Sequence, residues 1–110
     1  LLIDDPTRTV IEPVVKACAE RAPLYDFDLM QGGGHLKGWL VTEEWRTLLM
    51  ERIAMHEMHC DNVVYAMGDG NHSLASAKAH WENVKARGGD CHHPSRWALC
   101  EVTALEEDSL

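Results

Sequence analysis

Val63-Val64-Tyr65-Ala66-Met67-Gly68-Asp69-Gly70-Asn71-His72-Ser73-Leu74-Ala75-Ser76-Ala77-Lys78 is the stretch on which the reading of this chain turns. A β-prone apolar run stops at Gly68-Asp69-Gly70, and helix-forming sequence follows at once. Such a junction predicts strand, turn and helix. The first amides of the helix have no intrahelical acceptor, and together with the helix dipole they favour an anion such as phosphate. Glycines at 68 and 70 let backbone approach that anion closely.

Working outward, the third helix is expected from about His72 to Arg87, with Gly88-Gly89 stopping it. Leu74, Ala77, Trp81 and Val84 recur at helical spacing and mark its inner face. Asp90 to Ser95 read as a loop, Arg96 as its end, and Trp97 to Val102 as a last strand. Upstream, Thr42 is placed to cap a second helix that ends near Cys60-Asp61-Asn62. Its apolar stripe is Trp45, Leu48, Leu49 and Ile53, continued by Met55 or Met58. Before it, Leu24 to Met30 alternates apolar and acidic residues, Gln31 to Gly34 turns, and His35 to Val41 returns, which predicts a hairpin. His35 and Lys37 fall on one face of that returning strand. The first helix is expected from about Val10 to Arg21, opened by a Thr9-x-x-Glu12 capping box and closed by Pro23. Asp4-Asp5-Pro6 reads as a turn leaving a strand that holds Leu1-Leu2-Ile3.

The order is a mixed α/β (α+β) domain spanning residues 1–110, with one hairpin and at least one crossover. Its ends read as those of a piece excised from a longer protein, so the remainder of the parent chain is an expected partner, alongside a second copy of this one. The 110 residues are 45% hydrophobic and 25% charged, a globular profile. No apolar run reaches membrane-spanning length. Eighteen acids against ten bases give a net charge of −8, which opposes binding to duplex nucleic acid. The four cysteines, at 18, 60, 91 and 100, form no Cys-x-x-Cys pair and read as reduced thiols of a cytoplasmic protein.

Several residues carry two readings. Asp69 is a turn-former or helix cap on one reading, and a Mg²⁺ ligand or catalytic base on the other. His72 is a surface histidine or a group that donates to phosphate and relays a proton. Asn71 and Ser73 are ordinary helix-start residues whose backbone amides matter more than their side chains. His35 and Lys37 form a solvated edge or bring an imidazole and an ammonium to one site, and Arg96 is a solvated arginine or a phosphate clamp. His56-x-x-His59-Cys60 and Cys91-His92-His93 lack the paired ligand spacing of structural zinc sites.

The run from Tyr65 to Lys78 resembles the Asp-Gly-His-His-Arg-Tyr segment of domain-of-unknown-function family 1015. Asp4-Asp5-Pro6, Leu24-Tyr25-Asp26-Phe27, Gly33-Gly34-His35-Leu36-Lys37-Gly38 and His93-Pro94-Ser95-Arg96 agree with that family in order. More distantly, the turn is similar to that of the ParB/sulfiredoxin superfamily, where a strand-turn-helix binds nucleotide phosphates. The resemblance implies a ParB/sulfiredoxin-like mixed sheet. It also implies a nucleotide ligand (ATP or ADP) with Mg²⁺, and phosphoryl transfer to serine or a similar small metabolite. Gly70 matches the motif glycine and His72 its histidine. Ser73 stands where the superfamily has an arginine, which leaves the phosphate without its bidentate ligand. Lys37 or Arg96 would have to supply the missing cation. The alternative is a non-catalytic anion-binding or interaction module.

Overall fold

The computed structural model describes residues 1–61 and 63–107. The chain has mixed α/β architecture, in the order β1 (Leu2–Ile3), α1 (Ile11–Cys18), β2 (Tyr25–Asp28), β3 (His35–Gly38), α2 (Glu43–His59), α3 (Asn71–Ala86) and β4 (Thr103–Ala104). Short 3₁₀ turns lie at Met30–Gly32 and Pro94–Arg96. The chain divides into two compact units, Asp5–Val64 and a discontinuous one made of Leu1–Asp4 with Tyr65–Leu110.

In the Asp5–Val64 unit, α1 and α2 pack on a small core. Val14, Cys18 and Trp45 are buried, with Ala17, Trp39, Leu48 and Leu49 against them. Arg21 lays its guanidinium 4.3 Å from the centre of the Trp45 ring, and the Trp39 indole N–H donates to the Arg21 carbonyl at 3.0 Å. The inward stripe of α2 runs Trp45, Leu48, Leu49, Ile53 and then His56. Met55 and Met58 are exposed, because the helical phase after Ile53 turns His56 inward instead. His56 Nε2 is buried without a hydrogen-bond partner among the described residues.

The start of α1 departs from the expected capping box. Asp5, buried at 3% exposure, accepts the Thr9 amide at 2.9 Å, the Thr9 hydroxyl at 3.1 Å and the Val10 amide at 3.0 Å. Glu12 is drawn toward Lys16 at 3.4 Å rather than back to Thr9. The orphan amides of the helix entry are thus met by a carboxylate from the preceding turn. Thr42 precedes α2 in extended conformation, yet its side chain accepts no capping bond, and its buried hydroxyl has no partner among the described residues.

In the hairpin, Tyr25 pairs with Gly38, Asp26 with Lys37, Phe27 with Leu36 and Asp28 with His35. The hairpin is shorter at both ends than the alternating pattern suggested.

In the discontinuous unit, Leu2 is flanked on both sides. It exchanges backbone bonds of 2.7 and 2.9 Å with Ala66, and β1 pairs in parallel with β4 in the register Leu2↔Thr103 and Ile3↔Ala104. The expected strand over Val63–Met67 is reduced to that single bridge at Ala66. β1 offers only two residues, so there is no longer ladder for it to join. The last strand likewise forms at Thr103–Ala104, after the apolar run and not within it. Trp97 and Leu99 stay exposed, and among the described residues no strand pairs with theirs. α3 follows the expected pattern, since Leu74, Ala77, Trp81 and Val84 are its only partly buried residues. Gly88, at φ 93°, ends it, and the Gly89 amide returns to the Val84 carbonyl at 3.0 Å.

Burial alone would raise the Asp5 carboxyl. The amide bonds from Thr9 and Val10 outweigh it and hold the pKa below the ordinary 3.8. A depressed folded-state pKa means that this stabilisation is complete above about pH 4 and is lost as pH falls through the lowered value. Replacing Asp5 by Ala should cost about 1–2 kcal/mol, the range for loss of a helix cap. Thermal melts followed by circular dichroism at pH 7 measure the loss. The difference between Asp5→Ala and the parent should shrink as pH falls below the ordinary 3.8.

Candidate functional site

The candidate site is the turn from Ala66 into α3. The Leu2–Ala66 bridge brings the chain past the Leu2 side chain at Gly68, where a Cβ would sit 3.0 Å from Leu2 Cδ1. Gly70 then takes the left-handed conformation, at φ 72° and ψ 19°, and starts the helix. Its flank is open, with no atom within 4 Å of the point a Cβ would occupy. The need for glycine here is therefore conformational, whereas at Gly68 it is one of space.

The first helical bond runs from the Leu74 amide to the Gly70 carbonyl at 3.0 Å. The amides of Asn71, His72 and Ser73 have no protein acceptor among the described residues, and no side chain caps the helix. Asp69 Oδ1 accepts the Gly70 amide at 2.7 Å, the contact expected of a turn-former. Its carboxylate is solvent-exposed.

A cavity of about 740 Å³ opens beside this turn, within the same unit. Gly68, Asp69, Gly70 and Ser73 are among its lining residues. Leu2, Leu74, Ala77, Ala98 and Leu99 make most of the wall apolar, and Cys100 and Glu101 line it too. The Glu101 carboxylate accepts the Thr103 hydroxyl at 3.1 Å. The helical phase that turns Ser73, Leu74 and Ala77 to the cavity carries Asn71 and His72 to its outer flank. Both are exposed, and neither lines the cavity.

The expected cations have other partners. Arg96 donates to the Cys91 carbonyl at 3.0 Å and lies 4.9 Å from the Trp97 ring centre. His35 and Lys37 belong to the Asp5–Val64 unit, on one hairpin face as expected, and directly opposite Asp28 and Asp26. His35 Nδ1 meets Asp28 Oδ1 at 2.6 Å, its Nε2 meets Asp26 Oδ1, and Lys37 Nζ is 3.5 Å from Asp26 Oδ2. A carboxylate at each ring nitrogen favours the doubly protonated imidazole. Among the described residues no group of three His, Cys, Asp or Glu side chains is arranged to hold a metal ion.

Sequence reasoning missed Glu101 and Cys100 as wall residues, because both were absorbed into a supposed strand. It also missed Asp26 and Asp28 as the partners of His35 and Lys37. The acidic alternation of the outgoing strand was the available signal.

The bonds to Asp28 and then Asp26 raise His35 above its ordinary 6.5, and the bond to His35 first, with Lys37 adding, lowers Asp26 below 3.8. The raised histidine stabilises the hairpin fully below pH 6.5 and ceases to as pH climbs through its folded value. The lowered aspartate acts fully above 3.8 and ceases to as pH drops through its own. The ladder is therefore complete between those two ordinary values. Proton NMR titration should place the His35 midpoint above 6.5, and Asp28→Asn should bring it down. At the turn, Gly70→Ala should cost about 1–2 kcal/mol of left-handed strain, read as a lowered unfolding midpoint in urea.

One protein family, described as "Protein of unknown function (DUF1015)", matches the chain over residues 1–110. No curated protein and no solved structure matches it.

Proposed function

The chain belongs to the DUF1015 family, and we propose that its discontinuous unit holds the phosphate of a nucleotide, or of a comparably small phosphorylated metabolite, at the start of α3. The observation that carries this reading is the set of three amides, on Asn71, His72 and Ser73, left without a protein acceptor at a helix start whose Gly70 and Ser73 line a largely apolar cavity. Unmatched amides at the positive end of a helix attract a phosphate. A volume of about 740 Å³ suits the organic remainder of such a ligand. The resemblance of the turn's sequence to that of the ParB/sulfiredoxin superfamily points the same way.

On this reading the phosphate sits on the helix axis, with Ser73 on the cavity side and His72 on the outer flank. Asp69 has one oxygen engaged by Gly70, which leaves the other for a Mg²⁺ whose remaining ligands are phosphate oxygens and water. Phosphoryl transfer to serine or a similar hydroxyl compound would form the new P–O bond as the terminal phosphoanhydride bond of ATP breaks and ADP leaves, by positioning and charge stabilisation, with His72 or Asp69 taking the hydroxyl proton. The second reading, a non-catalytic anion module, draws on the commitment of Arg96 to Cys91 and of Asp69 to its own turn.

Titration of ATP, ADP and pyrophosphate, followed by amide NMR, should move the resonances of residues 70–73 first. Absence of any shift at that turn would refute the reading. Asp69→Asn separates two modes: it should weaken Mg²⁺-dependent nucleotide binding, but tighten binding of metal-free phosphate by removing a like charge. Release of labelled phosphate or its transfer to serine distinguishes the enzyme from the module.

A further inference from the structure

Between α3 and the cavity wall the chain passes through residues 90–97, and two imidazoles converge there on Ser95. The Ser95 amide donates to His93 Nδ1 at 3.2 Å, and the Ser95 hydroxyl lies 3.2 Å from His80 Nε2 on α3. The His93 ring stacks on that of Trp81, also on α3, with centroids 6.4 Å apart. The Trp97 amide closes the Pro94–Arg96 turn on the Pro94 carbonyl at 3.1 Å, and Ala98, Leu99, Cys100 and Glu101 of the cavity wall follow at once.

We propose that His93 is a proton-operated latch. Neutral, it fastens the Pro94–Arg96 turn to α3 and so sets the position of residues 97–101; protonated, it lets the turn go. The two histidines differ in what a proton does to their bonds. A backbone amide can only donate, so the bond to His93 exists only while Nδ1 is bare and the ring proton sits on Nε2. A proton on Nδ1 turns the acceptor into a second donor, and the cap is lost outright. The Ser95 hydroxyl both donates and accepts, so its contact with His80 survives protonation by rotation of the O–H. His93 is therefore the sensor and His80 a passive fastening. Charge acts in the same direction. An imidazolium at 93 joins His92 and Arg96 in its own loop, and His80 and Lys85 on α3. Against these stand Glu82, already paired with Lys85 at 2.8 Å, and Asp90, one of whose oxygens takes the His92 amide at 2.9 Å. Trp81 already has the Lys85 ammonium 6.0 Å from its ring centre, so a second cation at that ring meets a like charge. The cap is complete above the range in which an imidazole titrates and is lost as pH falls through it. The latch works on the protein alone, whatever ligand the cavity takes.

An NMR titration from about pH 8 to about pH 5 tests this on the parent chain. At the upper end the His93 ring nitrogens should report protonation at Nε2 alone, and the Ser95 amide should be protected from exchange. Through the His93 midpoint the protection factor of that amide should drop by roughly tenfold, the worth of one hydrogen bond. The amides of residues 97–101 should shift with the same midpoint. His93→Asn supplies a capping side chain that does not titrate. It should hold the Ser95 amide in its high-pH state throughout and leave residues 97–101 indifferent to pH, whereas His80→Ala should keep the response of the parent. A Ser95 amide that ignores the titration of His93 in the parent overturns the proposal. A response that persists in His93→Asn, one that vanishes in His80→Ala, or one that never reaches residues 97–101 overturns it as well.

Discussion

The discontinuous unit depends on the backbone of one residue. Leu2 exchanges a pair of hydrogen bonds with Ala66 on one side and stands in register with Thr103 on the other. Remove that sharing, and neither the approach to α3 nor β4 has a strand to align on. The close contact between Gly68 and the Leu2 side chain follows from it, and so does the direction in which Gly70 launches the helix. Buried or shared backbone groups are obligate hydrogen-bonding groups, so a two-residue strand can organise three segments when both its edges are used.

The helices and the hairpin were legible because their signals are periodic. Leu74, Ala77, Trp81 and Val84 repeat at helical spacing and are the residues of α3 that turn inward. The alternation of Tyr25-Asp26-Phe27-Asp28 against His35-Leu36-Lys37-Gly38 corresponds to the observed pairing. The runs Val63–Met67 and Trp97–Val102 misled because apolar, β-branched composition reports a capacity for burial. It does not report whether a partner strand exists. The cap of α1 was hidden for a different reason. Asp5 lies five residues before Val10, outside the spacing at which side chains usually close a helix start.

Part of the candidate site was legible as well. Glycines bracketing an aspartate before a helix describe the turn and its free amides. The cations were harder, since placing His35 and Lys37 on one face says nothing of what stands across the strand. Two carboxylates stand there, and an electrostatic ladder within a hairpin is a local solution that needs no ligand. For Arg96 the decisive partner is a carbonyl, at Cys91, and carbonyls leave no trace in side-chain patterns.

Residues 1–4 share a unit with the chain from Tyr65 onward, and Asp5–Val64 is a compact unit enclosed between them in sequence. That arrangement has a kinetic consequence. The β2–β3 ladder and the α1–α2 pair close over short separations and can form within microseconds. The parallel pairing of Leu2 with Thr103 must wait for a loop of nearly the whole chain to close. Early collapse of the enclosed unit shortens the effective length of that loop. The last event of assembly is then the one that sets β4 beside β1.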